Sequence, residues 1–307
     1  MKYIFLGTAD FSVAILEKLM SEFFYPAFVI AQPDRPIGRK QTLTAPPIVE
    51  VCKDHGIPYL QPERIGDIKA TIQDSAPDLL ITAAYGQIIP ADILSIPKHG
   101  ALNVHTSLLP RYRGASPIQT AILNGDAYTG ITIMLMDAKM DHGDILFQKR
   151  VEIRPDETAV SLFNKLAHIG ADVLPKVLPD YLAGRMAARP QDHSSATVTK
   201  LVNKDDARID WNQTAERIER QIRAYAGWPV AWTMLPSSKR IKIHAASINR
   251  DENALAPGEL DFRNKKALIG CKEGSLELVE VQIEGRRRIP SMDFVRGYAS
   301  LGGQVCR

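Results

Sequence analysis

Short apolar runs bounded by turn residues recur along the first 140 residues, with amphipathic stretches between them. Tyr3–Leu6 is the first run and ends in the turn Gly7-Thr8. Val13–Met20 follows, with Ile15, Leu16 and Leu19 on one side, the spacing of a half-buried helix. Phe28–Ile30, Asp78–Ala84, Ala101–Val104 and Ile131–Met136 are apolar segments short enough to be buried strands. Strands alternating with helical stretches predict an α/β fold, a Rossmann-like, doubly wound and mostly parallel sheet. Ligands of such sheets collect at the carboxyl ends of the strands.

The pattern changes twice. Gln32-Pro33-Asp34-Arg35-Pro36-Ile37-Gly38-Arg39-Lys40 holds two prolines, a glycine and three basic residues, and predicts an exposed, non-helical loop. The polar, proline-punctuated stretch around Arg189-Pro190-Gln191-Asp192-His193-Ser194-Ser195 predicts an interdomain linker. Beyond it lie a helix near Thr214–Tyr225 and alternating segments at Arg240–Ala245 and Leu276–Ile283. These are separated by turn pairs such as Pro257-Gly258 and Glu273-Gly274. That texture predicts a small, OB-like β-barrel. The expected division is a first domain over 1–184, a linker over 185–203 and the barrel over 204–307.

A length of 307 residues is enough for two domains with real cores, and 45% hydrophobic with 24% charged residues excludes wholesale disorder. No window approaches the ~18 uncharged apolar residues of a membrane span. Asp10 interrupts the N-terminal apolar run, and no small-residue cleavage site follows, so a first strand is expected there and not a leader. Cys52, Cys271 and Cys306 are too scattered for a zinc site and odd in number for a disulfide framework, so a reduced, cytoplasmic protein without a metal is expected. A monomer is the default expectation.

The net charge of +3 is unevenly spread. Residues 1–184 carry 17 Lys/Arg and 20 Asp/Glu, giving −3, whereas residues 185–307 carry 21 and 15, giving +6. A basic second half points to a polyanionic partner, although an ordinary solvated surface accounts for the same numbers.

Gly7-Thr8-Ala9-Asp10-Phe11 lacks the later glycines of GxGxxG, which argues against a dinucleotide bound in the usual way. The richer segment is Asn103-Val104-His105-Thr106-Ser107-Leu108-Leu109-Pro110. Asn103 and His105 are two apart at the end of an apolar strand and project from one face. The acidic loop Asp141-His142-Gly143-Asp144, after the strand-like Ile131–Met136, can bring a carboxylate to the same mouth. An amide donor, an imidazole and a carboxylate with no Ser or Cys nucleophile in motif context suit direct acyl transfer to an amine. A structural histidine and a simple turn are the competing explanations of the same residues.

Asn103-x-His105-x-Ser107-Leu108-Leu109-Pro110, followed by Gly114, Pro117, Ala121-Ile122 and Gly125, resembles the signature of the folate-dependent formyltransferases. Asp141-His142-Gly143-Asp144 falls where that family carries an Asp-x-Gly loop. Four further stretches resemble the branch acting on methionyl-tRNA: Phe5-x-Gly7-Thr8-x-Asp10-Phe11, the 32–39 loop, Ala207-Arg208-Ile209-Asp210-Trp211, and Arg223-Ala224-Tyr225-x-x-Trp228-Pro229. Ala9, where a proline is usual, Tyr225-Ala226-Gly227, in place of a more typical Phe-x-Pro, and His142, where a small or hydroxyl residue is common, depart from the pattern.

The resemblance implies 10-formyltetrahydrofolate as formyl donor and methionyl-initiator tRNA as acceptor. It assigns His105 as base, Asn103 as oxyanion donor and Asp141 as the carboxylate acting on His105. It implies a folate site lined by Ser107, Leu108, Leu109 and Pro110, with Tyr85, Gly86 and Ile88 from the 84–90 segment. Arg35, Arg39 and Lys40 of the basic loop and Arg208 are the expected tRNA contacts. Arg217, Arg220, Arg223, Lys242 and Arg286-Arg287-Arg288 are further candidates for phosphate contacts. Transfer to a sugar amine or to water shares the same core, and a non-catalytic RNA-binding scaffold is the alternative of another class.

Overall fold

The computed structural model describes residues 1–38, 41–250 and 255–307. Two compact units divide the chain. The first comprises Met1–Pro117, Tyr128–Glu152 and Phe163–Thr199, and the second Ile118–Ala127, Ile153–Leu162 and Lys200–Arg307.

The strands of the first unit are β1 (Tyr3–Gly7), β2 (Phe28–Ile30), β3 (Arg35–Ile37), β4 (Thr42–Thr44), β5 (Tyr59–Leu60), β6 (Leu79–Ala83), β7 (Ala101–His105), β8 (Arg113–Gly114), β9 (Tyr128–Leu135), β10 (Ile145–Glu152) and β11 (Val198–Thr199). Among the described residues, seven of them form one sheet in the order β10-β9-β7-β6-β1-β2-β5. The run from β7 to β5 is parallel, while β9 and β10 are antiparallel additions at one edge. The expected mostly parallel α/β sheet is therefore what the chain forms. β1 and β6 are buried at every position, as the unbroken apolar runs require of strands covered on both faces.

The chain winds outward from β1 through β2 to β5, then returns to place β6 on the other side of β1. The topological switch point thus lies between β1 and β6, where a doubly wound sheet opens a crevice at its carboxyl end. Gly7 closes β1 there. A Cβ on Gly7 would collide with the Ser12 side chain, whose hydroxyl donates to the Ala83 carbonyl at 2.5 Å. The glycine lets the helix Asp10–Ser21 start directly against the sheet, the turn role expected of it.

Three features depart from the sequence pattern. Within the basic stretch expected as a loop, Arg35–Ile37 instead form one strand of a small ribbon, with β3 pairing antiparallel to β4. A two-stranded ribbon tolerates Pro36 because an edge position needs no ladder donor. Residues Ala159–Leu182 form one 24-residue helix with Pro175 and Pro179 inside it. Proline removes a hydrogen bond inside a helix, yet Leu162, Leu166, Leu174 and Leu178 lie buried along its length and hold it as one element. Finally, residues 185–199, expected as linker, belong to the first unit, where β11 pairs with β8 and Gln191 is buried.

The second unit contains β12 (Trp232–Met234), β13 (Arg240–Asn249), β14 (Leu260–Arg263), β15 (Lys266–Gly270), β16 (Ser275–Ile283) and β17 (Arg288–Pro290). They form an antiparallel sheet in the order β12-β13-β16-β15-β14, with β17 also on β16. The helix Ala215–Ala224 is capped by the Thr214 side chain, which accepts from the Arg217 N–H at 3.3 Å. Its Ile218 and Ile222 enter the core with Leu276, Val281 and Phe294. No helix of the described residues is long and apolar enough to cross a membrane.

Candidate active site

β6 and β7 lie side by side with Thr82 opposite Asn103, so the two side chains share a face at the carboxyl end of the sheet. Thr82 is buried, and its hydroxyl donates to Asn103 Oδ1 at 2.7 Å. Asn103 Nδ2 faces Asp141 Oδ1 at 3.4 Å. A carboxylate only accepts, so the amide is oriented with its hydrogens toward Asp141 and the open side of the strand end.

His105 is 7% exposed. Its Nε2 lies 2.9 Å from the Tyr112 carbonyl, an acceptor, so Nε2 carries the hydrogen and Nδ1 the lone pair of the neutral ring. Nδ1 sits 3.6 Å from Asp141 Oδ1. The ring is therefore oriented by Tyr112 on one side and faces the carboxylate with the other. Asp141 Oδ2 accepts the Gly114 N–H at 2.7 Å, which anchors the carboxylate independently of the imidazole.

Sequence reasoning expected Asn103, His105 and Asp141 together, and the structure brings them together. It missed the groups that hold them: Thr82, the Tyr112 carbonyl, the Gly114 amide and Gln191. The Gln191 side chain donates to the carbonyls of Asp141 at 2.9 Å and Gly143 at 2.7 Å. Gly143 permits the close turn, since a Cβ there would strike the Leu135 carbonyl oxygen. Only the polar character of the 185–199 stretch could have signalled Gln191.

His142, the second imidazole of the loop, points elsewhere. Its Nδ1 is 2.6 Å from Asp137 Oδ2, and its ring stacks on His193 at a centroid distance of 4.0 Å. Asp137 is raised by burial, but the hydrogen bonds from His142 and the Lys139 N–H outweigh this and leave its carboxyl below the ordinary value.

The residues expected to line a cofactor site divide. Ser107 is fully buried and its hydroxyl donates to the Arg111 carbonyl at 2.6 Å. Leu109 packs with Met134 and Ile145, while its N–H donates to Thr132 Oγ1 at 3.1 Å. Leu108 covers Gly130, and Pro110 is partly exposed. The Ser107 and Leu109 side chains thus shape the strand-end turn from inside. Across the switch point, the Tyr85 carbonyl accepts from Thr8 Oγ1 at 2.8 Å and Gln32 Nε2 at 3.3 Å. The Tyr85 ring lies in the core, its phenol pushed up to about 12 by burial and its Oη without a partner. Gly86 takes a left-handed φ of 88°, and Ile88 beyond it is 81% exposed. Among the described residues, no group of three His, Cys, Asp or Glu is arranged to hold a metal.

Of the basic candidates, Arg35 is exposed and paired with Glu63 at 2.8 Å, while Arg39 and Lys40 lie outside the described residues. In the second unit, a cross-strand row runs Arg208, Trp232, Lys242, Gln282, Arg288, each residue opposite the next. Opposed residues share a face, so three cations stand in line, with the Arg240 guanidinium 4.2 Å from the Trp232 ring centroid. The helix arginines serve differently from the phosphate contacts expected of them. Arg217 donates to the Leu123 carbonyl, Arg223 donates to the Glu157 carbonyl at 2.9 Å and to Glu219 at 2.6 Å, and Arg220 lies against Gly125. These three tie the second unit together.

Comparison with known proteins gives matches over nearly the whole chain. The formyl transferase family model matches residues 1–178, and that of the formyl transferase C-terminal domain matches residues 201–299. The methionyl-tRNA formyltransferase of Halalkalibacterium halodurans is 42% identical, covering 99% of this chain and 99% of its own. That of a Roseiflexus species is 44% identical over 99% and 94%. Among solved structures, a Helicobacter canadensis N-formyltransferase complexed with folinic acid and dTDP-3-aminofucose superposes with a TM-score of 0.67 at 19% identity, covering 91% of this chain and 98% of that one. HypX from Aquifex aeolicus, complexed with tetrahydrofolic acid, gives 0.67 at 17%, covering 96% of this chain and 47% of that one. The present chain thus spans about half the length of HypX, and at these identities the likeness is one of fold.

Proposed function

This chain belongs to the methionyl-tRNA formyltransferase family, and from that premise we propose that it moves the formyl group of 10-formyltetrahydrofolate onto the α-amino group of methionyl-initiator tRNA. The observation that carries the reading is the Asn103–His105–Asp141 cluster at the carboxyl end of the sheet, within matched family sequence and beside the β1/β6 switch point.

The reaction is a direct acyl transfer. The methionyl amine attacks the formyl carbon, and negative charge develops on the formyl oxygen. Asn103 Nδ2, turned outward by Thr82, donates to that oxygen. His105 Nδ1 takes the proton from the amine, and the imidazolium so formed faces Asp141 Oδ1 across 3.6 Å. Collapse of the tetrahedral intermediate breaks the bond to the folate nitrogen, which takes the proton back from Nδ1. The folate lies at the strand ends between the 107–110 turn and the 84–90 segment, where Gly86 and the exposed Ile88 offer backbone and apolar surface.

The acceptor is a polyanion, and the cationic row Arg208–Lys242–Arg288 supplies phosphate contacts that position it. In this reading residues 1–184 carry the chemistry and 204–307 grip the tRNA, with Arg35, Arg39 and Lys40 engaging its acceptor end. The test is formyl transfer from 10-formyltetrahydrofolate, with methionyl-tRNA, an amino-sugar nucleotide and water compared as acceptors. Formylmethionyl-tRNA as the main product is the expected result. A preference for either other acceptor would overturn the reading.

A further inference from the structure

Gln191 stands in a stretch without regular structure, 50 residues along the chain from Asp141, yet it is only 5% exposed. Its amide makes every hydrogen bond an amide group can make. Oε1 accepts from Arg113 Nε at 3.2 Å and Nη2 at 2.7 Å, and Nε2 donates to the carbonyls of Asp141 and Gly143. A buried side chain satisfied at four points is a rigid strut, and both of its donor bonds fall on the turn that carries Asp141.

That turn needs holding. Asp141 has φ of 50°, in the left-handed region that costs a non-glycine residue free energy unless its surroundings impose it. Two contacts hold it, one on the backbone and one on the side chain. Gln191 takes the backbone carbonyl, and the Gly114 N–H takes carboxylate Oδ2 at 2.7 Å. Gly114 follows Arg113, whose guanidinium holds Gln191. The connections therefore close on themselves: Asp141 carboxylate to Gly114, Gly114 to Arg113 along the chain, Arg113 to Gln191, and Gln191 to the Asp141 carbonyl. Arg113 Nη2 also meets His193 Nδ1 at 2.8 Å, which ties the same segment at a second point.

We propose that Gln191 is a positioning residue that sets the Asp141 carboxylate at its distance from His105 and Asn103, and so tunes the formyl-transfer step without touching substrate. This rests on the reading of Asp141 as the carboxylate partner of His105. Freed from Gln191, the turn relaxes, and Oδ1 leaves the position facing Nδ1. Displacements of about 1 Å at a catalytic group cost up to ~10²-fold in rate.

Two substitutions separate the contacts. Gln191→Glu keeps acceptors for Arg113 but sets an oxygen against the two carbonyls. Gln191→Met keeps length and apolar volume and removes all four bonds. For both, kcat for methionyl-tRNA formylation should fall about 10- to 100-fold, with KM for the folate within about threefold of the unsubstituted chain. Amide hydrogen exchange at Gly114, whose N–H rests on Asp141 Oδ2, should accelerate at least about tenfold, while exchange at Ile81 in the sheet stays unchanged. Unchanged kcat, or unchanged exchange at Gly114, in either folded variant would overturn the proposal. The exchange measurement needs no substrate. A chain that formylates nothing would sink the proposed function, and the Gly114 amide would still decide the role of Gln191.

Discussion

The Thr82 hydroxyl and Asn103 Oδ1 meet at 2.7 Å across two parallel strands, and this bond decides which end of the Asn103 amide the reacting groups encounter. Thr82→Val preserves shape and removes the donor. Asn103 Oδ1, which is only half-buried, then loses its partner, and the amide can turn over. The expected outcome is a fall in kcat of about tenfold with folate KM unchanged. A variant with the normal kcat would show that Asn103 needs no such hold.

Asn103→Ala removes the donor itself. If its Nδ2 meets the developing oxyanion, kcat drops by about 10²–10³ while substrate binding persists. Steady-state kinetics with both substrates varied tells the two parameters apart.

The two histidines near the site should behave oppositely. His105→Ala should cost on the order of 10²–10⁴ in kcat. His142→Ala should retain activity within a few-fold, because His142 bonds Asp137 and stacks on His193, away from Asp141. Inactivity of the His142 variant beside an active His105 variant would reverse the assignment of the base.

Gly143→Ala tests the backbone of the loop. Its Cβ would strike the Leu135 carbonyl, so the turn must move and carry Asp141 with it. Formyl transfer should fall by about tenfold or more, and the melting temperature should fall as well, because the clash is with backbone that cannot swing aside.

The three cysteines give a prediction that needs no assay of function. Cys52, Cys271 and Cys306 are all free and buried, and burial pushes their thiols up to about 11, 12 and 12. A raised thiol value leaves almost no thiolate at neutral pH. A thiol reagent at pH 7.5 should therefore label the native chain slowly and the denatured chain three times over. Rapid labelling of any one native thiol would contradict its burial.

Much of this architecture was legible because the apolar runs are long enough to identify themselves. Tyr3–Leu6 and Asp78–Ala84 read as buried strands, and as β1 and β6 they are buried throughout. Asn103 and His105 were legible together because a strand's period of two puts both on one side. What stayed hidden was whatever depends on distant partners. Gln191 lies in a polar stretch that looks like a linker, and only folding brings it to the carbonyls of Asp141 and Gly143. The helix arginines looked like a phosphate-binding face because periodicity reports which residues share a side, not what that side meets. Arg217 and Arg223 in fact meet the carbonyls of Leu123 and Glu157.

The bond from His105 Nε2 to the Tyr112 carbonyl closes one of the two doors through which an imidazole trades protons. A ring with both nitrogens open can pass a proton along, in at one and out at the other. Here the far nitrogen is already loaded and faces a carbonyl that accepts a hydrogen bond but does not take up the proton. In the proposed reaction the proton gained at Nδ1 must leave by Nδ1. The ring is a swing, not a wire. The leaving folate nitrogen then receives the hydrogen taken from methionine's own amine unless solvent reaches Nδ1 first.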